Sequence, residues 1–167
     1  MTHALNIDLH THSSCSDGSL TPLELVTLAA AAGVEVLALT DHDTVAGVDE
    51  ALEAAVRHGI KLVPGVEISA SWRAQAIHVL GLWIDPVSPL LCDRLESQAA
   101  LRRTRMRRIC ARLDQLKLPG KELLAAVELE PGLPSRTHLA KALVAGARPR
   151  KSDSAWDVPE RPRRRRR

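Results

Sequence analysis

Two histidines near the amino terminus have the spacing of a metal-binding pair. His10 and His12 are separated by one residue in a segment where apolar and polar side chains alternate. Alternation with a period of two is typical of a β-strand, so both imidazoles should leave the same face. Two neutral imidazoles directed at one point could begin a transition-metal site, although two solvent-facing loop histidines would have the same spacing. Cys15 is close enough to be an extra ligand, but a small buried or half-buried thiol is the simpler interpretation.

Four further candidate ligands follow at later points in the sequence. These are the side chains of Asp17, His42, Glu67 and His78. Taken singly, His42 could be a loop residue and His78 a core histidine with a backbone partner. Glu67 is harder to explain in that way, because a carboxylate between Val66 and Ile68 costs free energy unless it is paired or binds a cation. Its two oxygens also make it the best candidate to bridge two ions.

Together these side chains predict metal-assisted hydrolysis. The set comprises four imidazoles and two carboxylates. Several such ligands converging on two or more ions would leave positions open for water and substrate. Because imidazole prefers transition metals to magnesium, we expect manganese, iron or zinc.

Strands and helices alternate in the part of the sequence that must position these ligands. The apolar runs predict strands at residues 5–9, 34–40, 60–69 with an interruption at Pro64-Gly65, and 76–84. Helical periodicity predicts helices at 22–32 and 48–58, the first with Thr21 as its N-cap. This order is the signature of parallel βα units, in which reactive groups collect where strands end and loops begin. His78 is the exception, since it lies inside a predicted strand.

The second half of the sequence is predicted to be helical and then loses its apolar pattern. A long helix is predicted at 90–116, and a shorter one at 121–129. A further helix is predicted to begin after Ser135, because serine is a preferred N-cap residue. The basic face of the long helix carries Arg102, Arg103, Arg105, Arg107, Arg108 and Arg112. Beyond Gly146 arginine, proline, serine and aspartate dominate, which predicts disorder.

Composition limits the class of protein. The 167 residues suffice for one domain with a real core, and no stretch approaches the roughly 18 apolar residues that span a bilayer. No signal peptide is visible, and three cysteines without zinc-type spacing favour reduced thiols, so we expect a cytoplasmic protein without membrane association. The formal charge of +3 depends on six arginines in 161–167, without which it would be negative. No feature indicates a particular protein partner.

The candidate ligands lie in motifs that resemble those of a known family. The family is the PHP (polymerase and histidinol phosphatase) superfamily, and within it the chain is most similar to the bacterial TrpH/YciV-type phosphoesterases. The motifs are His10-x-His12 with Asp17-Gly18, Thr40-Asp41-His42-Asp43, and Pro64-Gly65-Val66-Glu67-Ile68-Ser69 followed by His78. The group includes nucleoside 3′,5′-bisphosphate phosphatases and a 5′-to-3′ exoribonuclease. The resemblance implies an α/β fold, a distorted β/α barrel with a helical insertion after its fourth strand, and up to three metal ions, usually manganese.

The resemblance also implies roles for individual residues. The implied ligand sets are His10, His12 and Glu67 for one ion, Glu67 and His78 for a second, and Asp17 and His42 for a third. Asp41 would assist catalysis by orienting the ligands from behind. Arg136 and Lys141 would hold a substrate phosphate, although ordinary solvated charges on a helix would look the same in the sequence.

The resemblance extends to about residue 145. Family members continue with strands that close the barrel and bring another histidine and an Asp-x-His pair, whereas no histidine follows His138 here. We therefore expect an incomplete, C-terminally truncated barrel that exposes a strand edge and an apolar face. The predicted units are the amino-terminal part of a PHP domain at 1–88, a helical insertion at 89–146, and a disordered basic tail at 147–167.

Two functions remain open at this point. The first is a metal-dependent phosphoesterase that acts on nucleotides or on the 5′ ends of short RNA, with an activity that truncation would impair or abolish. The second is a non-catalytic fragment whose basic helix and arginine tail bind nucleic acid non-specifically. The affinity of such a fragment would fall steeply as the salt concentration rises.

Overall fold

Apolar runs and capped helical segments form four strands and five helices within residues 4–146, which the computed structural model describes. In chain order these are β1 (Ile7–Thr11), α1 (Pro22–Ala31), β2 (Val36–Leu39), α2 (Val48–His58), β3 (Lys61–Trp72), β4 (Gln75–Leu82), α3 (Pro89–Gln115), α4 (Gly120–Leu129) and α5 (Arg136–Ala145). The predicted disorder of residues 147–167 falls outside the described residues. Two helix starts follow the predicted capping chemistry, since Thr21 and Ser135 each accept a hydrogen bond from the first turn that follows.

The strands form one sheet in the order β1-β2-β3-β4. Val36 of β2 is in register with Ile7 of β1 on one side and with Lys61 of β3 on the other, and both pairings are parallel. The carboxyl ends of β1 and β2 therefore lie beside Pro64, where the parallel pairing of β3 ends, as the βα pattern predicts. β1 and β4 are the edge strands of the described sheet, and Ile7 is 49% exposed.

β3 does not have the interruption predicted at Pro64-Gly65. The strand continues through both residues and changes its partner there, from a parallel pairing with β2 to an antiparallel pairing with β4. A Cβ atom on Gly65 would lie 2.8 Å from Cγ2 of Thr40 and 2.9 Å from the carbonyl oxygen of Leu39, so glycine allows the strand to pass close to the end of β2. The prediction was wrong because these residue types mark a change of partner here and not a break.

β3 and β4 form a hairpin and not a further parallel βα unit. Arg73 and Ala74 make the two-residue turn, with φ of 47° and 64°. Positive φ at both central residues is the geometry of a type I′ turn, which suits the twist of a hairpin. The antiparallel register places His78 opposite Ser69, diagonally across from Glu67. The hairpin thus positions a histidine that lies inside a strand.

Two apolar clusters hold the elements in place. One packs α1 and α2 on the sheet and contains Val26, Leu37, Leu39, Ala51, Ala54, Ala55 and Leu62. The other joins the last three helices and contains Met106, Cys110, Leu123, Val127 and Leu139. Burial raises the pKa of the Cys110 thiol, so this side chain behaves as a small apolar residue. Within residues 4–146, no helix combines the length and the apolar character that crossing a bilayer requires.

Candidate metal centre

A buried glutamate lies at the centre of four imidazoles. Oε2 of Glu67 is 2.8 Å from Nε2 of His10, 3.0 Å from Nε2 of His12 and 3.7 Å from Nδ1 of His42. Its other oxygen, Oε1, is 2.6 Å from Nδ1 of His78. The Glu67 side chain is only 7% exposed. Since the two oxygens face different histidines, this carboxylate has the geometry of a bridge between two cations.

The structure brings together all six side chains that the sequence singles out as ligands. We call these the histidine–carboxylate cluster: His10, His12, Asp17, His42, Glu67 and His78. Their donor atoms form three groups, each within 4.8 Å, namely His10/His12/Glu67, His12/Asp17/His42 and His42/Glu67/His78. The first group matches the predicted set, while the other two each contain one histidine more than predicted. The three groups overlap, and of the residues that they share only Glu67, with its two oxygens, can bind two ions while the imidazoles are neutral.

The protonation states of the cluster suit metal binding. Burial lowers the pKa of His42 more than the nearby charge of Glu67 raises it, so this imidazole is neutral near pH 7. Burial alone would raise the pKa of Glu67, but its hydrogen bonds with His10 and His78 lower it, and the net effect is a lowered pKa. Neutral imidazole and ionised carboxylate are the forms that coordinate a cation.

Among the described residues, one buried atom of His42 lacks the partner that a metal ion would provide. Its Nδ1 atom is buried and has no hydrogen-bond partner within residues 4–146. An unpaired buried polar atom is costly, and a functional ligand is one of the recognised explanations for it. The four imidazoles and two carboxylates suit manganese, iron or zinc better than magnesium. The donor set therefore fits a centre of divalent transition metals.

Asp41 anchors the loop that carries His12 and Asp17. Its Oδ1 accepts hydrogen bonds from the Ser13 amide at 2.7 Å and the Ser16 hydroxyl at 2.5 Å, and its Oδ2 accepts one from the Ser13 hydroxyl at 2.5 Å. Ser16 Oγ is in turn 3.5 Å from His12 Nδ1. Asp41 is 1% exposed and lies behind the cluster, where it can fix the loop without touching substrate. The two serines have no distinguishing pattern in the sequence.

The start of α5 closes one side of the cluster. Thr137 donates a hydrogen bond from Oγ1 to Oδ2 of Asp17 at 3.0 Å. Arg136 lines a cavity of about 210 Å³ together with Asp17, His42 and His78, which we call the inner cavity. Lys141 is not among the lining residues, and its Nζ lies 3.4 Å from the Asp17 carbonyl oxygen. Of the two predicted phosphate-binding residues, Arg136 is thus the one that faces the cluster.

A buried ion pair ties α3 to the residue after His42. Arg102 donates from Nε to Oδ2 of Asp43 at 2.6 Å and from Nη2 to the Ser69 hydroxyl at 2.8 Å. The Ser69 amide donates to Oδ1 of Asp43 at 2.7 Å. Burial would raise the pKa of Asp43, but its bonds with Ser69 and Arg102 lower it overall. Sequence reasoning missed this pair, because Arg102 is one of seven arginines on α3 and nothing in the spacing marks it as buried.

Cys15 lies outside the three groups of donor atoms. Burial raises the pKa of its thiol, which disfavours the thiolate that a metal would need. A Cβ atom on Gly47 would lie 3.1 Å from Cys15 Sγ, so the sulfur packs closely against that turn. The simpler interpretation, a small half-buried thiol, is the one that the structure supports.

A search for related families matches residues 8–130 to the PHP domain. The matched segment covers most of the chain and contains every member of the histidine–carboxylate cluster. The chain belongs to the PHP domain family. Its α/β fold, an incomplete PHP-type barrel with added helices, is as the resemblance implies.

Two curated relatives of this PHP chain are named as an exoribonuclease and a nucleoside bisphosphate phosphatase. It is 47% identical over 137 residues to a 5′-3′ exoribonuclease of Haemophilus influenzae, covering 82% of this chain and 50% of the relative. It is 45% identical over 140 residues to a 3′,5′-nucleoside bisphosphate phosphatase of Chromobacterium violaceum, covering 83% and 49%. The chain spans about half the length of the curated relatives it matches.

Solved structures agree with this assignment of the PHP fold. An amidohydrolase from Chromobacterium violaceum, solved with bound sulfate, superposes with a TM-score of 0.78 at 43% identity, over 84% of this chain and 50% of that protein. A protein assigned as a metal-dependent phosphoesterase from Bifidobacterium adolescentis superposes with a TM-score of 0.76 at 37% identity, over 86% and 51%. These likenesses confirm the predicted fold.

Proposed function

We propose that this PHP chain is a metal-dependent phosphoesterase, with a nucleotide or the 5′ end of an RNA as its substrate. The observation that carries the proposal is the buried Glu67 carboxylate, whose two oxygens face four imidazoles beside a cavity lined by Arg136. A nucleoside 3′,5′-bisphosphate is the first substrate to test, because one relative is named for that activity and another for 5′-3′ exoribonuclease activity.

The residues of the cluster would act as the ligands of up to three metal ions. We assign one ion to His10, His12 and Glu67, a second to Glu67 and His78, and a third to Asp17 and His42, with manganese as the expected metal, so that each neutral imidazole serves one ion. Divalent ions in such a centre polarise phosphoryl oxygens and lower the pKa of water.

Other side chains of the site would position the substrate and the ligands. Arg136 presents a guanidinium to the inner cavity, where a phosphate can accept two hydrogen bonds from it. Asp41 holds the loop of His12 and Asp17, and Thr137 fixes one Asp17 oxygen. Because these contacts exist before substrate arrives, the ligands need little reorganisation on binding.

The test is release of inorganic phosphate from a nucleoside 3′,5′-bisphosphate by the full chain with manganese. We expect Glu67→Gln to lower the rate by at least about 100-fold, since even groups behind metal ligands are worth about 10–100-fold. The matched control is Glu53→Gln, because Glu53 is 73% exposed on α2 and pairs only with the exposed Arg57 in the described part of the chain. Phosphate release that persists in EDTA, or that Glu67→Gln leaves intact, would overturn the proposal. So would a manganese-loaded chain that releases no phosphate.

A further inference from the structure

A second cavity adjoins the inner cavity on the side of α3. It has a volume of about 350 Å³ and is lined by Asp43, Ser69, Gln98, Leu101, Arg102, Thr104, Arg105 and Arg108. The inner cavity shares three of these residues, namely Ser69, Arg102 and Arg105. We call this second space the α3 groove. A molecule bound at the cluster could therefore extend into the α3 groove past Arg105.

The groove carries positive charge that the described residues leave uncompensated. Arg102 is neutralised by Asp43, but Arg105 and Arg108 have no acidic partner within residues 4–146. Partial burial and the positive charges of Arg102 and Arg136 together lower the pKa of Arg105, a sign that cations crowd this wall. An arginine cluster of this kind attracts phosphate, which it can bind with paired hydrogen bonds.

Two other arginines of α3, Arg103 and Arg107, line a different cavity. Arg107 lies 3.8 Å from a carboxylate oxygen of Glu128, and Arg103 and Arg107 line a separate cavity that also contains Glu128 and Glu130. The predicted basic face of the helix is thus divided into an acid-compensated side and a side that leads away from the cluster. Of these two sides, only the one with Arg105 and Arg108 could contact a polyanion that extends from the cluster.

We propose that the α3 groove binds the sugar–phosphate backbone of a single-stranded oligonucleotide beyond the nucleotide held at the cluster. The proposal rests on the proposed function, since it takes that substrate to be an RNA end. No aromatic side chain lines the groove, so bases would not stack there and binding would depend on phosphates. Contacts to phosphates alone are independent of sequence.

The experiment measures binding of a 5′-phosphorylated, fluorescently labelled decaribonucleotide to the full chain by fluorescence anisotropy in EDTA. The test variant is Arg105→Gln/Arg108→Gln, and the matched control is Arg103→Gln/Arg107→Gln, which removes the same charge from the same helix. All the chains keep residues 161–167, so the arginine tail contributes equally to each. Loss of two phosphate contacts should reduce the slope of log K against log salt by about 1.4 and weaken binding about tenfold or more at 0.1 M salt. Equal effects of the two variants, or none from the test variant, would overturn the proposal.

The two proposals can fail separately in these experiments. Binding in EDTA requires no hydrolysis, and phosphate release from a mononucleotide requires no oligonucleotide. If manganese-dependent release is absent but binding still depends on Arg105 and Arg108, the hydrolase is overturned and the groove stands. If release is present but binding does not depend on these two arginines, only the proposal for the α3 groove is overturned.

Discussion

The protonation states of His42 and Glu67 determine whether these side chains can bind a cation. His42 has a lowered pKa because it is buried, and Glu67 has a lowered pKa because histidines surround it. At neutral pH the centre therefore presents the neutral imidazole of His42 beside the ionised carboxylate of Glu67. Burial also lowers the pKa of His138, which lies outside the cluster and accepts a hydrogen bond in the cap of α5.

His138 should make the stability of the fold depend on pH. Its Nδ1 accepts the Ser135 amide at 3.2 Å in the cap of α5, and its pKa is lowered from 6.5 by burial and then by the charge of Lys141. Because the unfolded chain then binds the proton more readily, the free energy of unfolding should fall as the pH drops below about 6.5.

The comparison variant is His138→Gln, since glutamine at this position also reaches back to the cap but does not titrate. In urea unfolding of the full chain, the stability of wild type minus that of the variant should decrease between pH 7.5 and 5.5, by up to about 1.4 kcal/mol per pH unit. All other residues are the same in both chains, so their contributions cancel in the difference. A difference that does not change with pH would contradict the assignment.

At the scale of elements, contacts from α3 and from the β3–β4 hairpin hold the ligands in place. Asp43 has a φ of 51°, in the left-handed region, directly after His42. The Arg102 guanidinium and the Ser69 amide hold the Asp43 carboxylate in that strained turn. Through Arg102, α3 therefore holds in place the turn that follows His42.

Removing the buried guanidinium should destabilise the fold strongly. Arg102 is 7% and Asp43 1% exposed, so Arg102→Met leaves a buried carboxylate without its partner, at a cost of about 3–5 kcal/mol in the free energy of unfolding. Arg103→Met, at the neighbouring exposed position, should cost less than about 0.5 kcal/mol. Adding Asp43→Asn to Arg102→Met should restore part of the loss. Urea unfolding measures all three, and a loss no larger than that of Arg103→Met would contradict the ion pair.

Substitutions in the turn between β3 and β4 should stabilise the fold. Arg73 and Ala74 both adopt positive φ, which costs about 1 kcal/mol or more for residues with a Cβ atom. Asparagine followed by glycine favours this turn, so Arg73→Asn/Ala74→Gly should raise the free energy of unfolding by about 1 kcal/mol. Thermal unfolding would show a higher midpoint, whereas a lower midpoint would mean that the turn is not of type I′.

At the scale of the whole molecule, the sequence predicts what depends on short spacing and misses what depends on packing. The ligands near strand ends, the caps at Thr21 and Ser135 and the helix at Val48–His58 follow from local patterns. The continuity of β3 does not, because only the approach of Thr40 explains Gly65. The burial of one arginine on α3 depends on which helix face meets the sheet, and charge patterning does not record that.

The central claim is that separate strands bring their imidazoles and carboxylates around shared cations. Its most direct test is a crystal of the full chain grown with manganese, with anomalous diffraction recorded at the manganese absorption edge. We expect anomalous peaks between His12, His42 and Glu67, within coordination distance of their side chains. A map in which manganese binds elsewhere, or in which no peak lies among these three residues, would contradict it.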